Sequence, residues 1–271
     1  MSYYYLIASL PGLSLNKKAQ RIDYEDILDT IQRNLEPSDA RQFRYLLYPN
    51  DHQNLLHVLF EKFKAIPRAP KVYPAIFSEK DLADYHKNRM MFPAYMSYFL
   101  DEYTDQFQTL TMKEMEELLW ELFYEEVEHQ DPFIVAYYQF ERKLKMFFSA
   151  YNYSNFDFLT VPNAEEGILN QIGKGLSIPP DWLRNHPHIE DIGEAISSKE
   201  PGKIEKLMNQ MKWDYLDEKK GVFNKEQVFE YTLKLLMVQR WQSLLPERGA
   251  SRFVEMQERI KHNVRSLQNI R

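Results

Sequence analysis

Apolar positions recur along this chain at three- and four-residue spacings, and proline, glycine or capping residues separate the runs. The pattern therefore predicts helices almost throughout. Between Asp23 and Phe63, Ile27, Ile31 and Leu35 share one helical face, and a second run carries Leu55, Leu56, Val58, Leu59 and Phe63. Ser38 and Asp51 stand where N-caps belong. Pro67, Pro70 and Pro74 forbid a continuous helix through the next stretch, and a new helix is expected after Ser78, with Asp81 in the reciprocal capping position. The clearest start is at Thr111. With Glu114 it forms a capping box, Leu110 is placed to staple onto Met115, and the stripe continues through Leu118, Leu119, Leu122, Phe123 and Val127.

Asp131 followed by Pro132 reads as N-cap and first helical residue of the next helix, whose stripe is Phe133, Ile134, Tyr137, Phe140, Leu144, Phe147, Phe148 and Tyr151. The short break between these two helices predicts antiparallel neighbours. Asn163 and Glu166 form another capping box for a helix ending near Gly173 or Gly175, before Pro179 and Pro180. Pro201 opens a helix through Leu207 and Met211, and Asn224 with Gln227 caps the run Val228, Tyr231, Leu235, Val238, Trp241, Leu245. A last helix from Ser251 carries Phe253, Met256, Ile260 and Leu267. The expected fold is an all-α, multi-helix bundle, a single all-helical domain over residues 1–271 with candidate internal boundaries near 64–76 and 175–187.

Composition narrows the function classes. A hydrophobic content of 44% and an aromatic content of 14% over 271 residues support a sizeable core, with rings left over for interfaces. Only 8 glycines are present, against turn-rich β architectures and phosphate-cradling loops, and the lack of cysteine excludes disulfides, thiolate metal sites and a thiol nucleophile. A formal net charge of −6 argues against nucleic-acid binding through a global positive field. The opening from Met1 to Leu13 is too short for a membrane span and lacks the basic start of a secretory signal, and no later apolar run is long enough to cross a bilayer. The expectation is a cytoplasmic protein with no direct membrane insertion.

Catalytic signatures are missing. Gly167 and Lys174 sit too far apart for a phosphate loop, and Gly175 stands where a metal-binding Ser or Thr belongs. Neither a serine-hydrolase elbow nor a His-Glu-x-x-His motif occurs. The expectation is a non-catalytic protein without a cofactor. The alternative is a carboxylate-bundle metal-binding enzyme: Glu126 and His129 have the spacing used in di-metal bundles, with Glu121 and Glu125 nearby, although a second such element is needed and not found. His186, His188, Glu190 and Asp191 are also metal-type donors, but Pro187 sets them in a loop or helix start.

Charge asymmetry is the firmer signal. From Asp101 to Asp131 acids dominate, Glu117, Glu121 and Glu125 among them, for a net charge of roughly −10 with Lys113 the lone base. From Tyr231 onward the balance reverses through Lys234, Arg240, Arg248, Arg252, Arg259, Lys261, Arg265 and Arg271. Such helices pair with each other, lie solvated, or meet oppositely charged partners. The run Tyr3, Tyr4, Tyr5 adds rings that supply either core packing or contact area at low entropic cost. The partner-binding candidates are thus Tyr3, Tyr4, Tyr5, Glu117, Glu121, Glu125, Arg252, Arg259 and Arg265. An unrelated helical adaptor is a further alternative.

The stretch Tyr3-Tyr4-Tyr5-Leu6-Ile7-Ala8-Ser9-Leu10-Pro11-Gly12-Leu13 resembles the start of an uncharacterised bacterial family encoded with V-type ATP synthases. That family is itself similar to the C-type central-stalk component of V/A-type ATP synthases, the counterpart of the eukaryotic d-type component. The run Tyr138-Gln139-Phe140-Glu141-Arg142-Lys143-Leu144-Lys145 resembles the segment where the C-type component places a Leu- and Arg-rich helix. The resemblance implies an all-helical, funnel-shaped socket between rotor shaft and membrane ring. It also implies a central-stalk role, with other V-type ATP synthase subunits as partners and a peripheral place at the cytoplasmic face of the membrane. This chain is shorter than the typical C-type component and shows no clear threefold repeat.

Overall fold

The periodicity is realised as ten α-helices among the described residues, with no β-strand among them. The computed structural model describes residues 3–15, 22–154, 187–188, 191–192, 194–195, 198, 200–219 and 221–243. In chain order the helices are α1 (Tyr4–Ser9), α2 (Tyr24–Asn34), α3 (Pro37–Lys64), α4 (Glu79–Ala83), α5 (Tyr85–Asn88), α6 (Ala94–Tyr103), α7 (Met112–Val127), α8 (Pro132–Ser154), α9 (Pro201–Lys219) and α10 (Lys225–Ser243). The chain divides into two compact units, residues 1–34 with 223–271, and residues 35–222.

In the first unit α2 packs against α10. Asp23 caps α2 by accepting the Asp26 N–H at 3.1 Å, and Ile27, Leu28 and Ile31 form its buried face. Asn224 caps α10 as expected, its Oδ1 accepting from the Gln227 N–H at 3.2 Å. Gln227 reaches back one residue further than a standard capping box, to the Phe223 N–H at 2.8 Å. The Tyr24 hydroxyl donates to Gln242 Oε1 at 2.8 Å and ties the start of α2 to the end of α10.

The second unit is built around α3, a 28-residue helix. The two expected runs do fall on separate helices, Ile27 and Ile31 on α2 and Leu55 to Phe63 on α3, but α3 begins well before its run and the expected caps are not at its start. Ser38 lies in its first turn, and Asp51 is fully buried at its middle, so neither is an N-cap. Pro49 lies inside α3 and has no N–H to give to the carbonyl of Tyr45. The Tyr138 hydroxyl of α8 supplies that hydrogen bond instead, at 2.8 Å, and the helix continues. α7 packs on α3, α6 and α8, and α8 packs on α9.

α7 and α8 run antiparallel, as expected: Arg142 lies over the Tyr124 ring and Lys145, further along α8, lies over Trp120, earlier in α7. The capping boxes at Ser78/Asp81 and Thr111/Glu114 are both complete, and Asp131 Oδ1 accepts from the Phe133 N–H at 3.0 Å. The helix after Ser78 is shorter than its start promises; α4 has five residues and gives way to α5 and a 3-10 turn before Pro93 sets the start of α6. The Asn163/Glu166 box, the side chain of Tyr151 and the helix from Ser251 lie outside the described residues or side chains.

Candidate functional site

The N-terminal aromatic run is split by its own helix. Tyr3 is buried, and its N–H donates to the Phe223 carbonyl at 2.7 Å. Tyr4 is half-exposed with its ring against Phe223 at 4.7 Å, whereas Tyr5 is 87% exposed. Further along, the Tyr231 hydroxyl of α10 donates to the Pro11 carbonyl at 2.9 Å. The stretch from Tyr3 to Pro11 therefore clasps the start of α10, using Tyr3 and Leu6 internally and leaving Tyr5 and part of Tyr4 at the surface. Phe223 has φ 52°, a left-handed conformation that costs a non-glycine residue energy. Both of its backbone hydrogen bonds and the Tyr4 contact hold it there.

On the second unit, Met115, Leu119, Phe123 and Val127 form the buried stripe of α7. Leu118 and Leu122 are only partly buried, so the stripe is narrower than expected. Glu125 is exposed and Glu117 and Glu121 are half-buried, with Lys113 bridging to Glu117 at 3.5 Å. The structure adds α6 to this acidic face. Partial burial first, then Tyr98, Glu102, Glu121 and Glu125, push the Tyr103 phenol above its ordinary pKa of 10, and α6 packs directly on α7. Tyr98 is 51% exposed. Glu102 lies within the acidic segment Asp101–Asp131 seen in the sequence, whereas Tyr98, on the same helical face four residues before it, was not among the candidates.

Beneath this face lies a polar interior. His52 is fully buried, its Nε2 lies 2.6 Å from the Tyr95 hydroxyl, and Trp120 and Phe123 meet it edge-on. Burial, and secondarily Lys145, lower its pKa to about 3, so the ring is neutral. Asp51 accepts from the backbone N–H groups of Ile76 and Phe77 at 3.0–3.1 Å. Asn54 both donates to the Val72 carbonyl and accepts the Val72 N–H, and Asn50 donates to the Pro74 carbonyl. The proline-rich stretch near 64–76 is thus fastened to α3 by polar side chains of its middle turns and lies within the second unit.

In the Tyr138–Lys145 run, Glu141 is buried and accepts from Lys212 of α9 at 3.1 Å and from Lys145 at 3.3 Å. Burial alone would raise its pKa; the two ammonium groups overcome that and hold it at about 2.

The alternative metal residues do not converge. Glu126 Oε1 accepts from the Tyr45 hydroxyl at 2.9 Å, while His129 is exposed beyond the end of α7, in a turn where helical spacing no longer aligns it with Glu126. Among the described residues no group of three or more His, Asp or Glu is placed to hold a metal ion. His188 has carboxylates at both ring nitrogens, and His186 and Glu190 lie outside the described residues. Arg252, Arg259 and Arg265 also lie outside them. Lys234, assigned to the basic stretch, is buried in α10 and paired with Glu230. Among the described residues no helix is long and apolar enough to cross a membrane.

No curated protein and no solved structure matches the chain. A family match does cover residues 1–264, which takes in both the N-terminal clasp and the acidic helices. The chain belongs to the family described as protein of unknown function (DUF2764).

Proposed function

We propose that this chain is a non-catalytic central-stalk component of a bacterial V-type ATP synthase, joining rotor shaft to membrane ring from the cytoplasmic face. The reading rests on the resemblance of Tyr3–Leu13 to the start of a family encoded with such enzymes. An all-helical fold is compatible with it. The observation that carries a binding role is the acidic and aromatic surface of the packed helices α6 and α7, where Glu102, Glu121 and Glu125 all act electrostatically on Tyr103. Charged faces of this kind steer subunits into register, and tyrosines give contact area at small entropic cost. Shaft and ring subunits are the partners under this reading, and no cofactor is involved.

The test is to tag the native protein, solubilise membranes gently and identify what co-purifies. Rotary-ATPase subunits should be enriched well above an untagged control; their absence from the eluate overturns the stalk reading. A metal analysis of the same preparation tests the carboxylate-bundle alternative. Stoichiometric iron, manganese or zinc that disappears with His129→Ala would favour that enzyme instead.

A further inference from the structure

His188 stands between two carboxylates: Nδ1 is 2.8 Å from Asp191 Oδ2 and Nε2 is 2.7 Å from Asp214 Oδ2. A neutral imidazole carries one N–H, so one of these contacts would set a ring lone pair against a carboxylate. Only the imidazolium donates to both. Asp214 is itself held in position, because Gln210 donates to its other oxygen at 2.8 Å.

The ring links two elements. His188 and Asp191 open a helical turn whose Ile192 N–H donates to the His188 carbonyl, and Ile192 and Ala195 enter the core made by Leu144, Phe147 and Phe148 of α8 with Leu207 and Met211 of α9. Asp214 belongs to α9. The side chain is about one-fifth exposed, so protons reach it.

We propose that His188 is a proton-operated clamp that holds the turn carrying Ile192 and Ala195 against α9 and loosens it when the ring loses its proton. Among the described residues, the charged groups acting on the ring are Asp191 from its own turn and Asp214 from α9; α8 presents apolar Leu144, Phe147 and Phe148 to the same turn. Burial lowers the proton affinity of the ring, but the hydrogen bonds and charges of Asp191 and Asp214 outweigh it and hold the pKa above the ordinary 6.5. A group with a raised folded-state pKa contributes its full stabilisation below the unfolded value, and that contribution is lost as pH rises through the folded value. The clamp is closed in mildly acidic solution and opens on the alkaline side of 6.5. It belongs to the fold of the second unit and does not depend on what the acidic face binds.

The experiment uses the full chain. Hydrogen exchange by mass spectrometry is followed from about pH 5.5 to 9, a range that brackets the ordinary histidine pKa, with correction for intrinsic exchange, and the His188 ring is titrated by NMR. Protection of the peptide containing Ile192 and Ala195 should fall by about tenfold across the ring titration, as for loss of one charge-assisted hydrogen bond, while α3 peptides stay unchanged. The ring midpoint should lie above 6.5 and move down in Asp214→Asn. If that variant does not fold, Asp191→Asn, at a largely exposed position, should move the midpoint the same way. A midpoint at or below 6.5 in the unmodified protein, or protection indifferent to pH, overturns the clamp.

Discussion

Tyr138 and Asp51 show how single side chains decide the course of the backbone. Pro49 leaves the Tyr45 carbonyl without its helical donor, and Tyr138 replaces it. Tyr138→Phe should therefore lower stability by about 1–2 kcal/mol, the cost of leaving a partly buried carbonyl unsatisfied. In a Pro49→Ala background, which restores the N–H, the same change should cost clearly less; urea denaturation of all members of the mutant cycle measures the difference. Asp51 faces opposing effects. Burial raises its pKa to about 6, against the Ile76 and Phe77 N–H groups that favour the carboxylate. Its folded-state pKa thus exceeds the unfolded 3.8, so stability is highest below that value and declines as pH rises through about 6. The decline is on the order of 2–3 kcal/mol. Asp51→Asn should flatten this part of the stability profile, since one oxygen suffices to accept both N–H groups; an unchanged profile would assign the dependence to other groups.

At the scale of elements, α8 joins the aromatic interior to α9 through Glu141. Its carboxylate lies between Lys145 and Lys212, and Lys145 also covers Trp120 at 3.8 Å. Glu141→Gln would leave the Lys212 ammonium largely buried without its counter-charge. A loss of about 3 kcal/mol is expected, close to the lower end for breaking a buried pair because Lys145 retains access to water. Glu141→Leu with Lys212→Met should recover much of it, since well-packed apolar replacements remove the desolvation penalty as well as the attraction. Thermal melts of the two variants separate these outcomes. The i,i+4 spacing of Glu141 and Lys145 made that half of the network visible in sequence. Lys212 was not, because it arrives from a helix 71 residues away.

At the scale of the whole molecule, the acidic face of α6 and α7 carries the proposed association. Glu121→Lys with Glu125→Lys should reduce co-purification of the partners by about tenfold or more, as for loss of steering charges. The helical circular-dichroism spectrum should stay unchanged, because both residues lie outside the buried stripe of α7. Raising salt should weaken the unmodified association as well, since charges are screened beyond about 10 Å at roughly 0.1 M ionic strength. Association indifferent to salt would shift the contact to Tyr5 and the exposed part of Tyr4.

Helical class and most helix starts were legible in the sequence. Capping at Ser78, Thr111, Asp131 and Asn224 is local chemistry, a side-chain oxygen meeting an N–H two or three residues on, and local chemistry can be read from spacing. The sequence also exposed the acidic bias of α7, because composition does not depend on folding. Tertiary structure alone decided that α3 runs through Pro49, since the compensating hydroxyl lies 93 residues from the carbonyl it serves. It decided that Asp51 fastens a proline-rich strap instead of starting a helix, and that Tyr3 is internal while Tyr5 is not. Each of these depends on which distant group arrives to satisfy a buried polar atom or cover an apolar one. Neither periodicity nor spacing encodes that arrival.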